Sequence, residues 1–307
     1  MAIHPTQASG VKKLIFMPII AFTRWFGKHF PETLMRIRYY VRFKKCLNLK
    51  NPKTLNEKIL YLSLRTDTTE WTQLADKHAV QQWVREKGLE EILIPQYLYI
   101  RDGEKLDTDL LPQEGFVLKT THGSGDVMIC CDKANFSAEN AMTFFAPYLK
   151  RRYGALEGGC HYMRIVPGLV AEKLMKNGKE DAKISSSIID YKFWCFHGEV
   201  YYCMVCSNRT KSTLDLQLYD VTWNAHPEFI KTSEEHLVGK VMPKPRNYDK
   251  MLDVCQRLSK GFPCVRVDLY NLDGEIYFGE MTFTSLGGLM DYYTDEFQHI
   301  AGGLIKL

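Results

Sequence analysis

Residues 263–286 constrain the fold more than any other stretch, because they predict a β-hairpin with an acidic side chain on each arm. The arms, residues 265–270 and 275–283, are rich in β-branched and aromatic residues. Residues 271–274 are typical of a type I turn closed by a glycine in the left-handed conformation. The two acids are Asp268 and Glu280, and the turn decides whether they face the same side.

The length of the hairpin loop matters because side chains alternate with period two along a strand. A two-residue turn would place the two acids on opposite faces. We predict instead a three-residue loop over residues 272–274, in which the glycine forms a bulge and Asn271 pairs with Glu275. That register puts five side chains on one face: Arg266, Asp268, Phe278, Glu280 and Thr282.

Two carboxylates and an arginine on one face of an apolar hairpin are costly to bury unless they bind something. Paired carboxylates are hard oxygen ligands of the kind that Mg²⁺ takes together with substrate phosphates. The hairpin therefore predicts a magnesium site. The alternative is a solvated face on which the arginine bridges the two acids.

The composition is that of an ordinary globular chain of 307 residues, 45% hydrophobic and 25% charged. The net charge of +4 is unevenly spread, since residues 1–58 hold twelve Lys/Arg and two Asp/Glu. The net charge is therefore +10 for residues 1–58 and −6 for residues 59–307. This difference predicts an anionic partner for the N-terminal segment. The nine cysteines are odd in number and irregularly spaced, which argues for a reducing compartment and against a disulfide framework.

The N-terminal segment leaves two interpretations open. Its apolar stretch, residues 14–22, is too short to span a bilayer and is interrupted by Pro18, and no cleavage site of a signal peptide follows. Interleaved cations and aromatics fit a helix pair lying on a membrane surface, or equally helices packed on the body with a solvated basic side. The expected location is the cytoplasm, with peripheral contact at the inner face of the membrane as the open alternative.

Elsewhere the pattern changes from helix to strand near residue 92. Residues 56–64 and 76–87 have helical spacing, and Gly88 is a natural stop. Residues 176–187 predict a mobile loop, and Ser137 predicts an N-cap. Strands are predicted at 116–120, 127–131, 169–174, 188–196 and 199–207, and further helices at 136–153 and 248–258.

A second constellation follows the strand at 116–120. Gly123 and Gly125 allow backbone N–H groups to approach an anion, and Lys119 within an apolar strand is explained by a phosphate site. The spacing matches neither the Walker loop nor the dinucleotide fingerprint, so by itself this is only a hairpin. Together with Lys77, Lys192 and Arg209, it forms the cationic pattern expected opposite an acidic pair in a nucleoside triphosphate site.

Six short motifs follow one another along the chain. They are Asp76-Lys77, Phe-Val-Leu-Lys119-Thr-Thr-His-Gly-Ser-Gly125, Ala-Glu172-Lys, Asp190-Tyr-Lys192-Phe, Arg266-Val-Asp268-Leu-Tyr and Tyr-Phe-Gly-Glu280-Met-Thr-Phe-Thr284. In this order the motifs resemble the TupA-like ATP-grasp family, which is associated with teichuronopeptide and other bacterial surface-polysaccharide biosynthesis. The resemblance runs from about residue 51 to the C-terminus.

The resemblance implies an α+β ATP-grasp fold, in which two α+β subdomains clasp ATP. The expected division is a basic helical region at residues 1–75, a small lid subdomain at 76–168 and a large subdomain at 169–307. ATP and Mg²⁺ would be the cofactors. Such enzymes activate a carboxylate as an acylphosphate, which an amine then attacks.

The resemblance also implies a role for each site residue. Lys77 and Lys119 would hold the phosphates beneath a lid formed by His122, Gly123, Ser124 and Gly125. Glu172, Lys173 and Met175 would meet adenine, and Glu180 or Asp181 the ribose. Asp268 and Glu280 would bind Mg²⁺, with Arg266, Lys192 and Arg209 on the catalytic and acceptor side.

Two departures from the family pattern bear on the site. Thr282 stands where many ATP-grasp ligases have an asparagine ligand, which weakens the case for a second Mg²⁺. Cys160-His161 replaces a Glu-Trp pair before Tyr162, so the acceptor contacts there are expected to differ.

The leading hypothesis is a ligase that joins an amino acid or other amine to a uronic-acid carboxylate of a glycan or glycan precursor. The alternatives are a phosphotransferase acting on a sugar hydroxyl and a glycosyltransferase of the same pathway, although no convincing Asp-x-Asp pair is present. A binding module with a dead site is disfavoured by the intact Lys119, Asp268 and Glu280. No nucleic-acid partner is expected.

Overall fold

The computed structural model describes residues 11–156 and 158–307, with side chains from residue 18 onward. The side chains of Lys12 and Lys13, two of the twelve cations of the N-terminal segment, lie outside that description. The nine cysteines are all free thiols.

Five helices open the described chain: α1 (Val11–His29), α2 (Pro31–Phe43), α3 (Leu55–Arg65), α4 (Thr69–Ala75) and α5 (Val80–Glu86). Thr54 and Glu57 form a reciprocal capping box that fixes the start of α3. None of the helices in the described part of the chain has the length and apolar character needed to cross a bilayer.

The helix predicted at 76–87 is shorter than expected. The Asp76 carboxylate accepts hydrogen bonds from the backbone N–H groups of His78 and Ala79, at 2.8 and 3.1 Å, and so holds a turn. The regular helix α5 therefore begins only at Val80. Gly88 follows it at a positive φ of 64°, which confirms the predicted stop.

The first sheet has four antiparallel strands in the order β1-β4-β2-β3. They are β1 (Gln96–Arg101), β2 (Phe116–Thr120), β3 (Val127–Cys130) and β4 (Gly168–Lys173), which confirms the three strands predicted in this region. Helix α6 (Ala138–Leu149) packs on this sheet and is capped by Ser137, as predicted. The helix ends at Leu149 rather than 153, and residues 151–152 have no regular structure.

The second sheet has six strands in the order β10-β9-β5-β6-β7-β8, antiparallel except for β7 and β8. The short helix α7 (Asp181–Ile184) precedes it, within the predicted loop. Helix α8 (Tyr248–Ser259) covers one face and α9 (Asp295–Leu304) ends the fold. The strands are β5 (Asp190–Phe196), β6 (Glu199–Ser207), β7 (Leu214–Asp220), β8 (His236–Val238), β9 (Val265–Leu272) and β10 (Glu275–Thr282).

The chain passes from one sheet to the other between Lys173 and Asp190, because β4 pairs with β1 and β2. The predicted domain division at residue 168 stays a prediction. The strand predicted at 169–174 belongs to the four-stranded sheet and not to the larger one.

The turn of the β9–β10 hairpin differs from the prediction. Leu272 pairs with Glu275, so the turn has two residues, Asp273 and Gly274, both at positive φ. The predicted three-residue loop is wrong. Positive φ at both central positions is the primed turn that suits the twist of a hairpin.

A β-bulge at Gly279 restores the register that the turn alone would have lost. Beyond it Glu280 lies opposite Asp268, so the prediction that the two acids share a face is confirmed. Phe278 comes before the bulge, pairs with Leu269 and is buried in the core. Its predicted place beside the acids is wrong for that reason.

Candidate functional site

A cavity of about 510 Å³ lies over the face of the six-stranded sheet that α8 leaves open. Its floor is built from alternate residues of adjacent strands, all on the same face. The turn between β2 and β3 reaches it at Gly123 and Ser124. The floor residues are Asp190, Lys192, Met204, Cys206, Leu214, Leu216, His236, Arg266, Glu280 and Thr282.

A buried ion-pair array underlies this floor. Arg266 donates to both Asp268 oxygens at 2.7 Å, and Lys192 Nζ lies 2.5 Å from Asp268 Oδ2. Burial alone would raise the pKa of Asp268, but the two cations hold it below its usual value. Asp268 is therefore an anion already held by two cations.

Asp190 is a second carboxylate of the array, and sequence reasoning did not include it among the site residues. Its Oδ2 lies 2.5 Å from Lys192 Nζ, whereas Oδ1 is buried without a hydrogen-bond partner. Burial raises the pKa of Asp190, an effect that Lys192 opposes. The period-two spacing of Asp190 and Lys192 was the signal that could have identified it.

Glu280 is the accessible acid of the cavity. Its side chain is 44% exposed, and its oxygen lies 3.6 Å from Arg266 Nη2. The Thr282 hydroxyl donates to the same Glu280 oxygen at 3.2 Å. Arg266 thus bridges the two predicted metal acids, and Glu280 keeps coordination capacity on its open side.

Lys77 enters the cavity from the segment after α4. Its Nζ donates to the Gly123 carbonyl at 2.5 Å, which ties it to the turn between β2 and β3. Burial lowers the pKa of Lys77, and the negative charge of Glu280 opposes that shift. The lysine and the turn therefore form one wall, as the sequence pattern implies.

Lys119 and Glu172 lie nearby but do not line the cavity. Lys119 Nζ lies 2.5 Å from Glu172 Oε2, and Gln96 donates to the other Glu172 oxygen at 3.1 Å. The two predicted nucleotide contacts pair with each other across adjacent strands β2 and β4. Their roles in binding stay predictions.

The other predicted nucleotide residues do not line the cavity either. His122 is buried and donates from Nε2 to the carbonyls of Tyr148 and Arg151, at 3.3 and 3.2 Å. Asp181 Oδ2 accepts from the Asp273 N–H at 2.8 Å, at the tip of the hairpin. The remaining residues of this group are Gly125, Lys173, Met175 and Glu180, of which Glu180 pairs with Lys183.

Several lining residues were missed by sequence reasoning. Arg38 of α2 reaches the cavity, and its guanidinium donates to the Leu156 carbonyl. Tyr162 lines one side, and burial raises its pKa. Ser285 accepts from Arg266 Nη1. Tyr153, Thr284, Leu286, Gly287 and Tyr292 complete this set.

The Cys160-His161 pair lies outside the cavity. His161 is fully buried, lies 4.3 Å from the Tyr162 ring and 5.5 Å from Trp71, and makes no side-chain hydrogen bond. Burial lowers its pKa to about 3, so it packs as a neutral ring behind Tyr162.

The donor set fits Mg²⁺ in type. Among the described residues no group of three or more His, Cys, Asp or Glu side chains could hold a metal alone. Mg²⁺ commonly takes only one or two carboxylates and fills its shell with water and phosphate oxygens. Glu280 supplies one such carboxylate on its open side. Both oxygens of Asp268, directly opposite, are already paired with Arg266 and Lys192, and Thr282 adds only a weak donor.

Two sheets with a charged cavity beside a glycine turn are the arrangement expected of the ATP-grasp class. A model of the TupA-like ATP-grasp family matches residues 57–306. The chain belongs to this family and has the ATP-grasp fold. No curated protein matches the sequence significantly.

Solved structures show distant similarity. D-alanine–D-alanine ligase from Bacillus anthracis complexed with ATP is 16% identical with a TM-score of 0.42, over 75% of this chain and 60% of that one. D-cycloserine synthetase DcsG is 15% identical with a TM-score of 0.45, over 81% and 79%. The chain thus spans about three fifths of the length of the D-alanine–D-alanine ligase.

Proposed function

We propose that this protein is an ATP- and Mg²⁺-dependent carboxylate–amine ligase that works through an acylphosphate. The observation that carries the proposal is the open carboxylate of Glu280 beside the buried Asp268–Arg266–Lys192 array, in a cavity that Lys77 and Gly123 also line. Membership in an ATP-grasp family supports ATP as the nucleotide.

For the nucleotide, we assign the phosphates to the wall formed by Lys77, Gly123 and Ser124. Lys119 would join them by exchanging part of its pairing with Glu172 for a phosphate. The backbone of Lys173 and Met175, with Glu172, is assigned to adenine. We assign Mg²⁺ to Glu280, with Asp268 joining by exchanging part of its pairing with Lys192, and the bound ion would neutralise phosphate charge.

The charges of the array suit phosphoryl transfer to a carboxylate. The carboxylate oxygen would form a bond to the γ-phosphorus while the bond to the bridging oxygen breaks and ADP leaves. Arg266 and Lys192 carry fixed positive charge on the cavity floor, where it stabilises negative charge on the transferring group. The amine would then attack the acyl carbon, lose a proton and displace phosphate.

The acceptor side is assigned to Arg209 and Arg38, together with Lys192. All three line the same cavity, and guanidinium groups recognise carboxylates bidentately. A uronic-acid carboxylate of a bacterial surface polysaccharide, or of its precursor, is the proposed acceptor. An amino acid or another amine is the proposed co-substrate.

The proposal is tested by measuring the products from ATP, Mg²⁺, uronic-acid acceptors and amino acids. A ligase releases ADP and phosphate in equal amounts, and only when carboxylate and amine are both present. ADP without phosphate would indicate a kinase and contradict the proposal.

Glu280→Gln is expected to lower the rate of ADP release by about 100-fold, because it removes the open carboxylate that is assigned to Mg²⁺. Glu275→Gln is the matched control on the same hairpin, since Glu275 is exposed and does not line the cavity. Its rate should stay within about twofold of the wild type. Equal rates in the two variants would exclude Glu280 from the site.

A further inference from the structure

A second recess, the basic groove, lies between α1 and the segment from Lys150 to Val166. Its volume is about 840 Å³. Six of its described lining residues are cations, and none of those described is acidic. The lining consists of Arg24, Trp25, Lys28, Lys150, Arg151, Arg152, Ala155, Cys160, Met163, Arg164 and Val166.

The cations at the rim of the basic groove are available to a ligand. Lys28, Lys150 and Arg152 are exposed. By contrast, Arg151 pairs with the buried Asp126 at 3.0 Å, and Arg164 donates to Thr68 and Thr72. Arg151 and Arg164 are thus held by these contacts. The three rim cations keep exposed positive charge, and only Arg152 among them has a side-chain hydrogen bond in the described structure, a long one of 3.5 Å to the Ile165 carbonyl.

An exposed aromatic cluster from the end of α1 and the start of α2 continues directly from the groove. Phe22 and Trp25 stack with ring centroids 5.9 Å apart, and Phe30 lies 6.3 Å from Trp25. The exposed fractions are 63% for Phe22, 53% for Trp25 and 49% for Phe30. Trp25 and the 59% exposed Val166 also line the basic groove, so charged and apolar surfaces are contiguous.

We infer that this face docks on an anionic lipid bilayer. Cations beside exposed Trp and Phe are the combination by which a helix lies in a membrane interface, with phosphate headgroups over the cations and rings among the acyl chains. A soluble anion would engage the cations but leave the aromatic cluster in water. The inference is independent of the reaction in the main cavity.

The test is co-sedimentation of the full chain with vesicles of equimolar phosphatidylcholine and phosphatidylglycerol. Lys28→Glu, Lys150→Glu and Arg152→Glu are combined in one variant. Each basic residue near an anionic surface strengthens binding severalfold, so the apparent affinity should fall at least about tenfold. Wild-type affinity for pure phosphatidylcholine vesicles should be similarly low.

The matched control combines Lys240→Glu, Arg246→Glu and Lys260→Glu, three exposed cations outside the groove with the same change in net charge. It should bind anionic vesicles as the wild type does. High salt should leave part of the wild-type binding to vesicles, because the aromatic rings remain inserted. A second variant, Phe22→Ala with Trp25→Ala, should lose this salt-resistant binding. Equal loss in both triple variants, no vesicle binding by the wild type, or displacement from vesicles by millimolar pyrophosphate alone would overturn the inference.

Discussion

At the scale of single residues, the site depends on how buried charges are satisfied. Asp268 accepts from Arg266 and Lys192, and Lys192 also pairs with Asp190. Burying these charges is tolerable only because each has a partner at hydrogen-bond distance. Removal of one member therefore leaves the others uncompensated.

Asp268→Asn is expected to lower the free energy of unfolding by about 3–5 kcal/mol, because Arg266 and Lys192 then lose a buried counterion. Urea unfolding measures this. Asp253→Asn is the control, since Asp253 pairs with Arg257 on the surface, where such pairs contribute under about 1 kcal/mol. Equal losses in the two variants would contradict the buried array.

The stability difference between the wild type and Asp268→Asn is also expected to depend on pH. The pKa of Asp268 is lowered on folding, so its contribution is present above its unfolded pKa, near 3.8, and is lost as the pH falls through the folded value. The stability difference between wild type and Asp268→Asn should therefore shrink only in the acid range below the unfolded pKa. If the stability difference changed instead between pH 6 and 8, the range in which histidine titrates, its pH dependence would have to come from a group other than Asp268.

At the scale of elements, the β9–β10 hairpin shows what the sequence could and could not predict. Its arms, its turn position and the shared face of the acids were all predictable from period-two alternation and turn residues. The way in which the two acids come to share a face was not predictable. A three-residue loop and a two-residue turn followed by a bulge both place Asp268 and Glu280 on the same face. Gly279 was the signal for the bulge, since a glycine within a strand often marks one.

Gly279→Ala tests the bulge. A Cβ at this position would lie 2.9 Å from the Asp268 carbonyl oxygen, which is backbone and cannot move aside easily. We expect a loss of about 1–3 kcal/mol in the free energy of unfolding and a fall in ADP release, because Glu280 is displaced. Gly303→Ala is the control in α9, where nothing lies within 4 Å of the added Cβ, and it should not destabilise. Equal stability in the two variants would refute the argument.

At the scale of the whole molecule, the cavity gathers residues that sequence motifs could not join. The strands of the larger sheet carry recognisable pairs such as Arg266 and Asp268, and these were predictable. Arg38 lies before the segment that the family model matches, and only the packing of α2 brings it to the cavity. His122 belongs to a motif of the family pattern, yet its ring turns inward to backbone carbonyls.

The central claim is that the cavity makes an acylphosphate, and hydroxylamine trapping tests it most directly. With ATP, Mg²⁺ and the acceptor carboxylate but no amine, hydroxylamine should capture the activated acyl group as a hydroxamate, with one ADP formed for each. Glu280→Gln should form it about 100-fold more slowly. ADP formation with a phosphorylated acceptor that resists hydroxylamine would contradict the account, because the phosphate would then reside on a hydroxyl group.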